Sequence, residues 1–146
     1  MEPILFYSTK GMYGAFSNFS AHPFVLNNKR WPTTEHYFQA QKFADTEHEE
    51  AIRMIASPMV AARMGRSRQR PLRKDWDAVK DDVMRKALRA KFTQHQDLQS
   101  LLLSTGEAQL IEHTKNDSYW ADGGDGSGKN RLGILLMELR DQLRTS

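Results

Sequence analysis

At 146 residues, 39% hydrophobic and 27% charged, the chain has the composition of one soluble globular domain with a core of its own. It contains no cysteine, which excludes disulfides, thiolate zinc sites and cysteine nucleophiles, and no apolar run approaches the ~20 residues of a membrane span. The net charge of +3 is local: Arg63, Arg66, Arg68, Arg70, Arg73 and Lys74 fall in one window without an acid, and outside it 15 basic residues face 18 acidic ones. Such a cluster suits a phosphate-bearing ligand, a nucleic-acid backbone, or a solvated loop whose arginines pair with nearby acids. The first residues, MEPILFYS, lack a basic region followed by an apolar one, so we expect no secretion signal and a cytoplasmic protein.

In chain order, ILFY at 4–7 reads as a short strand and KGMYG at 10–14 as a turn. FSNF at 16–19 alternates apolar and polar residues. PFVL at 23–26 leads into Asn27-Asn28, a hairpin turn, with residues 29–31 as the return strand. The N-terminal third is thus expected to form a small antiparallel sheet. Thr33 or Thr34 can cap a helix running to about Ala44. At ~100° per residue, Glu35, Gln39 and Lys42 share one narrow arc of it, flanked by Phe38 and Phe43, with Tyr37, Ala40 and Ala44 opposite. An ordinary surface helix sets its charges apart from its rings. Two readings stay open: a solvated charged edge, or a polar stripe in a cleft whose aromatic wall shifts the pKa of Glu35 and Lys42.

A second helix is expected from Glu47 to about Ala56, with Ile52 and Ile55 on its apolar side. Ser57-Pro58 reads as N-cap and first position of a third, which Gly65 would stop. After the arginine segment, residues 75–93 give a long helix with Trp76, Val79, Val83, Ala87 and Ala90 on one face and Asp75 as its cap. Another helix spans about 97–103 and ends at Thr105-Gly106, AQLIEH at 108–113 reads as a strand, and the last helix, about 131–143, buries Leu132, Leu135, Leu136, Leu139 and Leu143. The pattern is α+β: a single, mainly helical domain over 1–146 with a small antiparallel sheet.

Gly123 to Lys129 fit the first part of a phosphate-binding G-x-x-x-x-G-K loop, but Asn130 stands where serine or threonine should hold magnesium. Asp122 and Asp125 have the wrong spacing for a calcium loop. What remains is a glycine-rich backbone, Gly123 included, running into a helix N-terminus, whose free amides suit an anion or a sugar. Tyr119 and Trp120 offer flat faces, and Asp122 and Asn130 can bond ribose hydroxyls; alternatively this is a helix-entry loop plugged by Trp120. The five histidines show no ligand spacing, so no metal is expected. No nucleophile elbow is present.

WPTTEHYFQAQKF at 31–43, together with FSNF at 16–19, SPMVAARMGR at 57–66, PLRKDW at 71–76, VMRKALRAKF at 83–92 and NDSYWADGGDGSGKNRLGILLMELR at 116–140, resembles the NADAR superfamily, most closely its YbiA-like riboflavin-intermediate N-glycosidases. The blocks run in order along nearly the whole chain. One position departs: Ala121 stands where the family pattern carries glycine. The resemblance implies cleavage of an N-ribosidic bond without a cofactor, releasing ribose 5-phosphate from phosphorylated ribosylaminopyrimidines. Other members imply removal of ADP-ribose from modified guanine. The implied partner is a small ribosylated molecule, or ADP-ribosylated guanine in a nucleoside or nucleic acid, with no membrane and no obligate protein partner.

For that chemistry two routes stay open. In one, Glu35 is the expected acid and base and Lys42 the expected amine that forms a Schiff base, with Lys80 a second candidate. In the other, a direct route, Glu35 stabilises an oxocarbenium-like state and activates water while Lys42 only positions Glu35. Arg66 and Arg73 are expected to hold phosphate, Asn18, Phe19 and Gln39 to touch base or ribose, and Trp76, Tyr119 and Trp120 to contact the base. Asp122, Gly123 and Asn130 complete the expected set. The competing classes are a module that binds ADP-ribose or NAD without cleaving it, and a nucleic-acid-binding protein using residues 63–74.

Overall fold

A computed structural model describes residues 1–145. The elements are β1 (Ile4–Phe6), a 3-10 turn (Gly14–Phe16), β2 (Phe24–Leu26), β3 (Lys29–Trp31), α1 (Thr34–Gln41), α2 (Glu47–Arg53), α3 (Pro58–Arg66), α4 (Trp76–Gln94), α5 (Gln96–Ser104), β4 (Leu110–Glu112) and α6 (Arg131–Arg144). Among the described residues, six α-helices and two pairs of short strands make an α+β fold, as the patterning predicts. The chain forms two compact units, one of residues 1–17 with those from Phe92 on, the other Asn18–Lys91.

In the unit Asn18–Lys91, β2 and β3 form an antiparallel hairpin with Phe24 opposite Trp31. Its turn places Asn27 and Asn28 at φ 57° and 62°, the left-handed pair that a tight hairpin needs and that asparagine tolerates. The hairpin delivers the chain to α1, which packs on α2 and α3. Trp31 lies edge-on to Tyr37 at 5.0 Å, and both rings are buried. Ser57 caps α3 by accepting from the Val60 amide, with Pro58 in the first turn. Ile52 is fully buried on α2, while Ile55 lies beyond the helix, half-buried. On α4, Trp76, Val83, Ala87 and Ala90 are buried as their spacing predicts, joined by Met84 and Leu88.

In the other unit, β1 pairs with β4 in parallel, Ile4 opposite Leu110. The single antiparallel sheet expected for the N-terminal third therefore divides: only β2–β3 is antiparallel, and β1 takes a partner about a hundred residues later. A parallel pair needs a long crossover and leaves no local turn signal. FSNF is no strand either; it carries the end of the 3-10 turn and a further turn. Phe16 packs edge-to-face on Phe6 at 5.6 Å and tilted on Phe92 at 5.9 Å. Helix α6 packs on β4 and α5 with Leu132, Leu135, Leu136, Leu139 and Leu143 buried. No helix among the described residues is long and apolar enough to cross a membrane.

Candidate active site

Two threonines set the start of α1. Thr33 caps it, its hydroxyl accepting from the His36 amide at 3.1 Å and meeting His36 Nδ1 at 2.8 Å. His36 Nε2 lies 2.7 Å from the Ile55 carbonyl. Since that carbonyl only accepts, Nε2 carries the proton, and the Thr33 hydroxyl can donate to Nδ1 of the neutral ring. Burial holds its pKa below the usual value against the opposing carbonyl bond. Thr34 donates to Asn18 Oδ1 at 2.8 Å, and the Glu35 amide donates to the Asn18 carbonyl at 3.1 Å. Asn18 is thereby fixed at the N-terminal end of the helix that carries Glu35.

The expected stripe along α1 exists, and its members differ in surroundings. Glu35 is half-buried and accepts from Gln39 Nε2 at 2.7 Å. Gln39 is only 5% exposed, and its amide nitrogen is engaged with the carboxylate. Its Oε1 is buried without a hydrogen-bond partner, a cost of about 1–3 kcal/mol for a carbonyl out of water. Turning the amide over would set oxygen against the Glu35 carboxylate, which explains the orientation. Gly65 lies against this amide: a Cβ there would come within 1.9 Å of Gln39 Oε1. Gly65 is thus not the stop expected of it. It sits inside α3, buried, at the contact with α1.

Lys42, the C-cap of α1, is 7% exposed. Its Nζ stands 5.7 Å from the Phe38 ring centre and 5.8 Å from that of Trp76, rings that meet edge-on at 5.0 Å. Nζ reaches the Gly65 carbonyl at 3.4 Å, and Arg68 Nη1 takes the same oxygen at 2.9 Å. Burial first, then the Arg68 charge, push the Lys42 ammonium down to about 8, with Arg66 and Lys80 adding to the shift and Glu35 opposing it. At pH 7 about a tenth of such an amine is neutral, against a few parts in ten thousand for a free lysine. Lys80 has no comparable setting: it pairs with exposed Asp77 at 3.4 Å.

The basic segment separates into tethered and open members. Arg73 is gripped by Asp75 at 2.6 and 2.9 Å and bonds the Gln41 carbonyl at 3.3 Å, while its amide donates to the Lys42 carbonyl at 3.1 Å. A guanidinium so tied fastens the chain after α1 and has little left for phosphate. The same pairing occupies the Asp75 carboxylate expected to cap α4. Arg66 is exposed and forms no ion pair among the described residues. Trp76 is nearly buried, its ring committed to Phe38 and Lys42. Phe19 is half-buried.

In the other unit the glycine loop is largely satisfied by its own backbone. The amides of Asn130, Arg131 and Leu132 donate to the carbonyls of Ala121, Tyr119 and Trp120 at 3.0, 3.0 and 3.1 Å, so the first turn of α6 does not offer them to an anion as expected. Asp122 is buried and accepts from the amides of Thr114 and Gly124 at 3.1 and 2.8 Å, and lies 2.7 Å from His113 Nδ1. Its pKa is lowered by His113 first. Asn130, in the left-handed region at φ 50°, accepts from the Glu112 amide and donates to the Leu110 carbonyl, both at 3.0 Å. Asp122 and Asn130 therefore brace the loop with the groups expected to bond a ribose. Tyr119 and Trp120 meet edge-on at 4.9 Å, both half-buried. Gly123 takes φ 75°. Ala121 is buried and outside the left-handed region, so its methyl is accommodated without strain. No cluster of three His, Asp or Glu able to hold a metal occurs among the described residues.

Reasoning from sequence read Gly65 as a helix stop and Arg68 only as part of the basic cluster. It missed the packing of Gly65 on Gln39, the bond from Arg68 to the Gly65 carbonyl and the clamp made by His36. A glycine inside a helical pattern, one residue before the helix ends at Arg66, was the available signal for the first.

The NADAR domain family matches residues 5–144, a stretch that runs through both units. The chain is 66% identical over 140 residues to N-glycosidase YbiA of Escherichia coli (strain K12), covering 96% of this chain and 88% of that protein. It is 41% identical over 155 residues to the chloroplastic riboflavin biosynthesis protein PYRR of Zea mays, covering 96% of this chain and 25% of that protein. The NMR structure of the E. coli protein YbiA superposes with a TM-score of 0.92 at 64% identity, covering 99% of this chain and 86% of that one. The chain therefore belongs to the NADAR domain family, in its N-glycosidase branch.

Proposed function

We propose that the protein hydrolyses the bond between ribose and an exocyclic base amine, acting on phosphorylated ribosylaminopyrimidine intermediates of riboflavin biosynthesis and releasing ribose 5-phosphate. The observation that carries this reading is Lys42: an amine held against Phe38 and Trp76, lowered to about 8, on the helix that also presents Glu35. The relatives' names support the bond class and the pathway. The reading takes residues 1–146 as one N-glycosidase domain, because the family match is unbroken across both units. It places the protein in the cytoplasm, because a phosphorylated substrate does not cross a bilayer unaided.

A ribosylamine opens to an imine at C1′. The neutral Lys42 amine adds to that carbon; the bond from C1′ to the base nitrogen then breaks, its electron pair leaving with the base amine and Glu35 supplying the proton. The sugar remains joined to Lys42 as an imine. Glu35, now a carboxylate, takes a proton from a water that adds to C1′. Collapse releases the sugar aldehyde and restores the amine, so bonds and protons balance with one water consumed. Arg66 is an exposed cation suited to the phosphate, and Asn18 is held at the N-terminal end of the helix that carries Glu35.

Removal of ADP-ribose from modified guanine is the second reading, because exposed Arg63, Arg66 and Arg68 at the end of α3 suit a diphosphate as well as a single phosphate. A direct route, with Glu35 stabilising an oxocarbenium-like state, is the alternative chemistry. Product analysis by mass spectrometry separates substrate and binding-module readings. Free ribose 5-phosphate from a phosphorylated ribosylaminopyrimidine supports the first. Free ADP-ribose from ADP-ribosylated guanosine alone replaces it with the second, and tight binding without either product replaces both.

A further inference from the structure

We infer that Gly65 is a positioning residue for Glu35, acting through Gln39: the bare α-carbon on α3 makes the space in which the Gln39 amide is held against the carboxylate. The inference rests on the reading that Glu35 is the acid and base, and deepens it by naming what sets that group in place.

Three contacts converge on this glycine. The Gln39 amide occupies the volume of its absent side chain, since a Cβ would lie 1.9 Å from Oε1, 2.6 Å from Cδ and 2.9 Å from the Gln39 Cβ. The other end of that amide donates to Glu35 at 2.7 Å. The Gly65 carbonyl receives Lys42 Nζ and Arg68. The glycine thus touches the support of one proposed catalytic group with its α-carbon and the other group with its oxygen.

The left-handed backbone that usually explains a glycine is absent, because Gly65 is not among the positive-φ residues. Its helical conformation suits alanine, the better helix former of the two. What alanine cannot do here is fit. The Oε1 and Cδ contacts fall on the flexible end of a side chain, so that end yields first, and moving it breaks the bond to Glu35. The Cβ contact is relieved by a shift of a few tenths of an ångström between the helices. The buried, unpartnered Gln39 oxygen has the same origin: the amide is oriented by its nitrogen, and its oxygen is packed against the α-carbon of Gly65.

The test compares Gly65→Ala, Gln39→Ala and the double variant with wild type, reading kcat and KM on a phosphorylated ribosylaminopyrimidine and the Gln39 side-chain amide signal by 15N NMR. The expected result is a fall of about tenfold in kcat for either single variant, less than twofold change in KM, and a double variant no slower than Gln39→Ala alone. In Gly65→Ala the Gln39 amide signal moves toward that of a solvent-exposed glutamine. A Gly65→Ala enzyme with wild-type kcat and an unmoved amide signal overturns the inference, as does a double variant whose losses multiply. If Gly65→Ala fails to fold, the double variant decides: removing the amide restores folding if the clash is with Gln39, and does not otherwise. The amide signal needs no substrate, so it reads this linkage even if wild type releases no product, which would instead count against the proposed reaction.

Discussion

The Lys42 amine lies 5.8 Å from the centre of the Trp76 ring, joining the end of α1 to the first residue of α4. That contact, with the Phe38 ring set beside Trp76, takes the amine out of water. An ammonium out of water beside Arg68 loses protons more readily than an exposed lysine. The same environment that lowers the pKa of this amine weakens the fold, and on the reading of Lys42 as the proposed nucleophile the two effects are separable.

Lys42→Met removes the amine and keeps the length of the side chain. Because the folded pKa of about 8 lies below the unfolded value, the wild type gains stability as pH rises from about 8 toward 10.5 and lacks that contribution below. The variant is expected to be more stable than wild type at pH 7 by roughly 1–3 kcal/mol, with the difference shrinking at pH 10, while turnover is lost. Denaturant titrations at the two pH values check this.

Trp76→Ala exposes the amine without touching it. Water then returns the Lys42 pKa toward the ordinary range, and the neutral fraction at pH 7 falls by roughly tenfold or more. The rise of kcat with pH, expected through about 8 in the wild type, should move upward by one unit or more. A pH–rate profile on both proteins reads the shift directly.

His36 is neutral in the fold, held by Thr33 and the Ile55 carbonyl. Its lowered pKa means that its contribution is complete above about pH 6.5 and is lost as pH falls below it, because protonation removes the acceptor that Thr33 uses. His36→Ala should cost about 2 kcal/mol at pH 7.5 and flatten the decline between pH 6.5 and 5, which thermal melts across that range will show.

Asn130 tests whether the glycine loop is braced as described. Asn130→Ala removes two hydrogen bonds to β4 and leaves alanine at φ 50°, a loss of about 2–3 kcal/mol. Gly133→Ala strikes the same junction, because a Cβ there would come within 1.9 Å of the Leu110 carbonyl. Both should lower the melting temperature, and if Asn130 acts in the fold rather than on the sugar, KM should change little in the folded fraction.

What the sequence disclosed was what repeats at short range. Helix α1, its cap and the Glu35–Gln39–Lys42 stripe follow from spacing, the hairpin from Asn27-Asn28, and α6 from its leucines. What it withheld depends on long-range partners. The β1–β4 pairing has no local signature. Gly65 reads as a helix stop until Gln39 is seen packed on it. Arg73 reads as a phosphate ligand until Asp75 is seen holding it. The α6 amides look free until the carbonyls of residues 119–121 are seen on them. Polar groups in a loop advertise the bonds they can make, not the ones they have made.

The measurement that bears most directly on the central claim is reductive trapping. The protein is incubated with a phosphorylated ribosylaminopyrimidine, treated with borohydride, digested and examined by mass spectrometry. A reduced pentose-phosphate adduct on the peptide containing Lys42, absent in Lys42→Met, is the predicted result. Turnover without any adduct, or an adduct on Lys80 with Lys42 unmodified, would contradict the account.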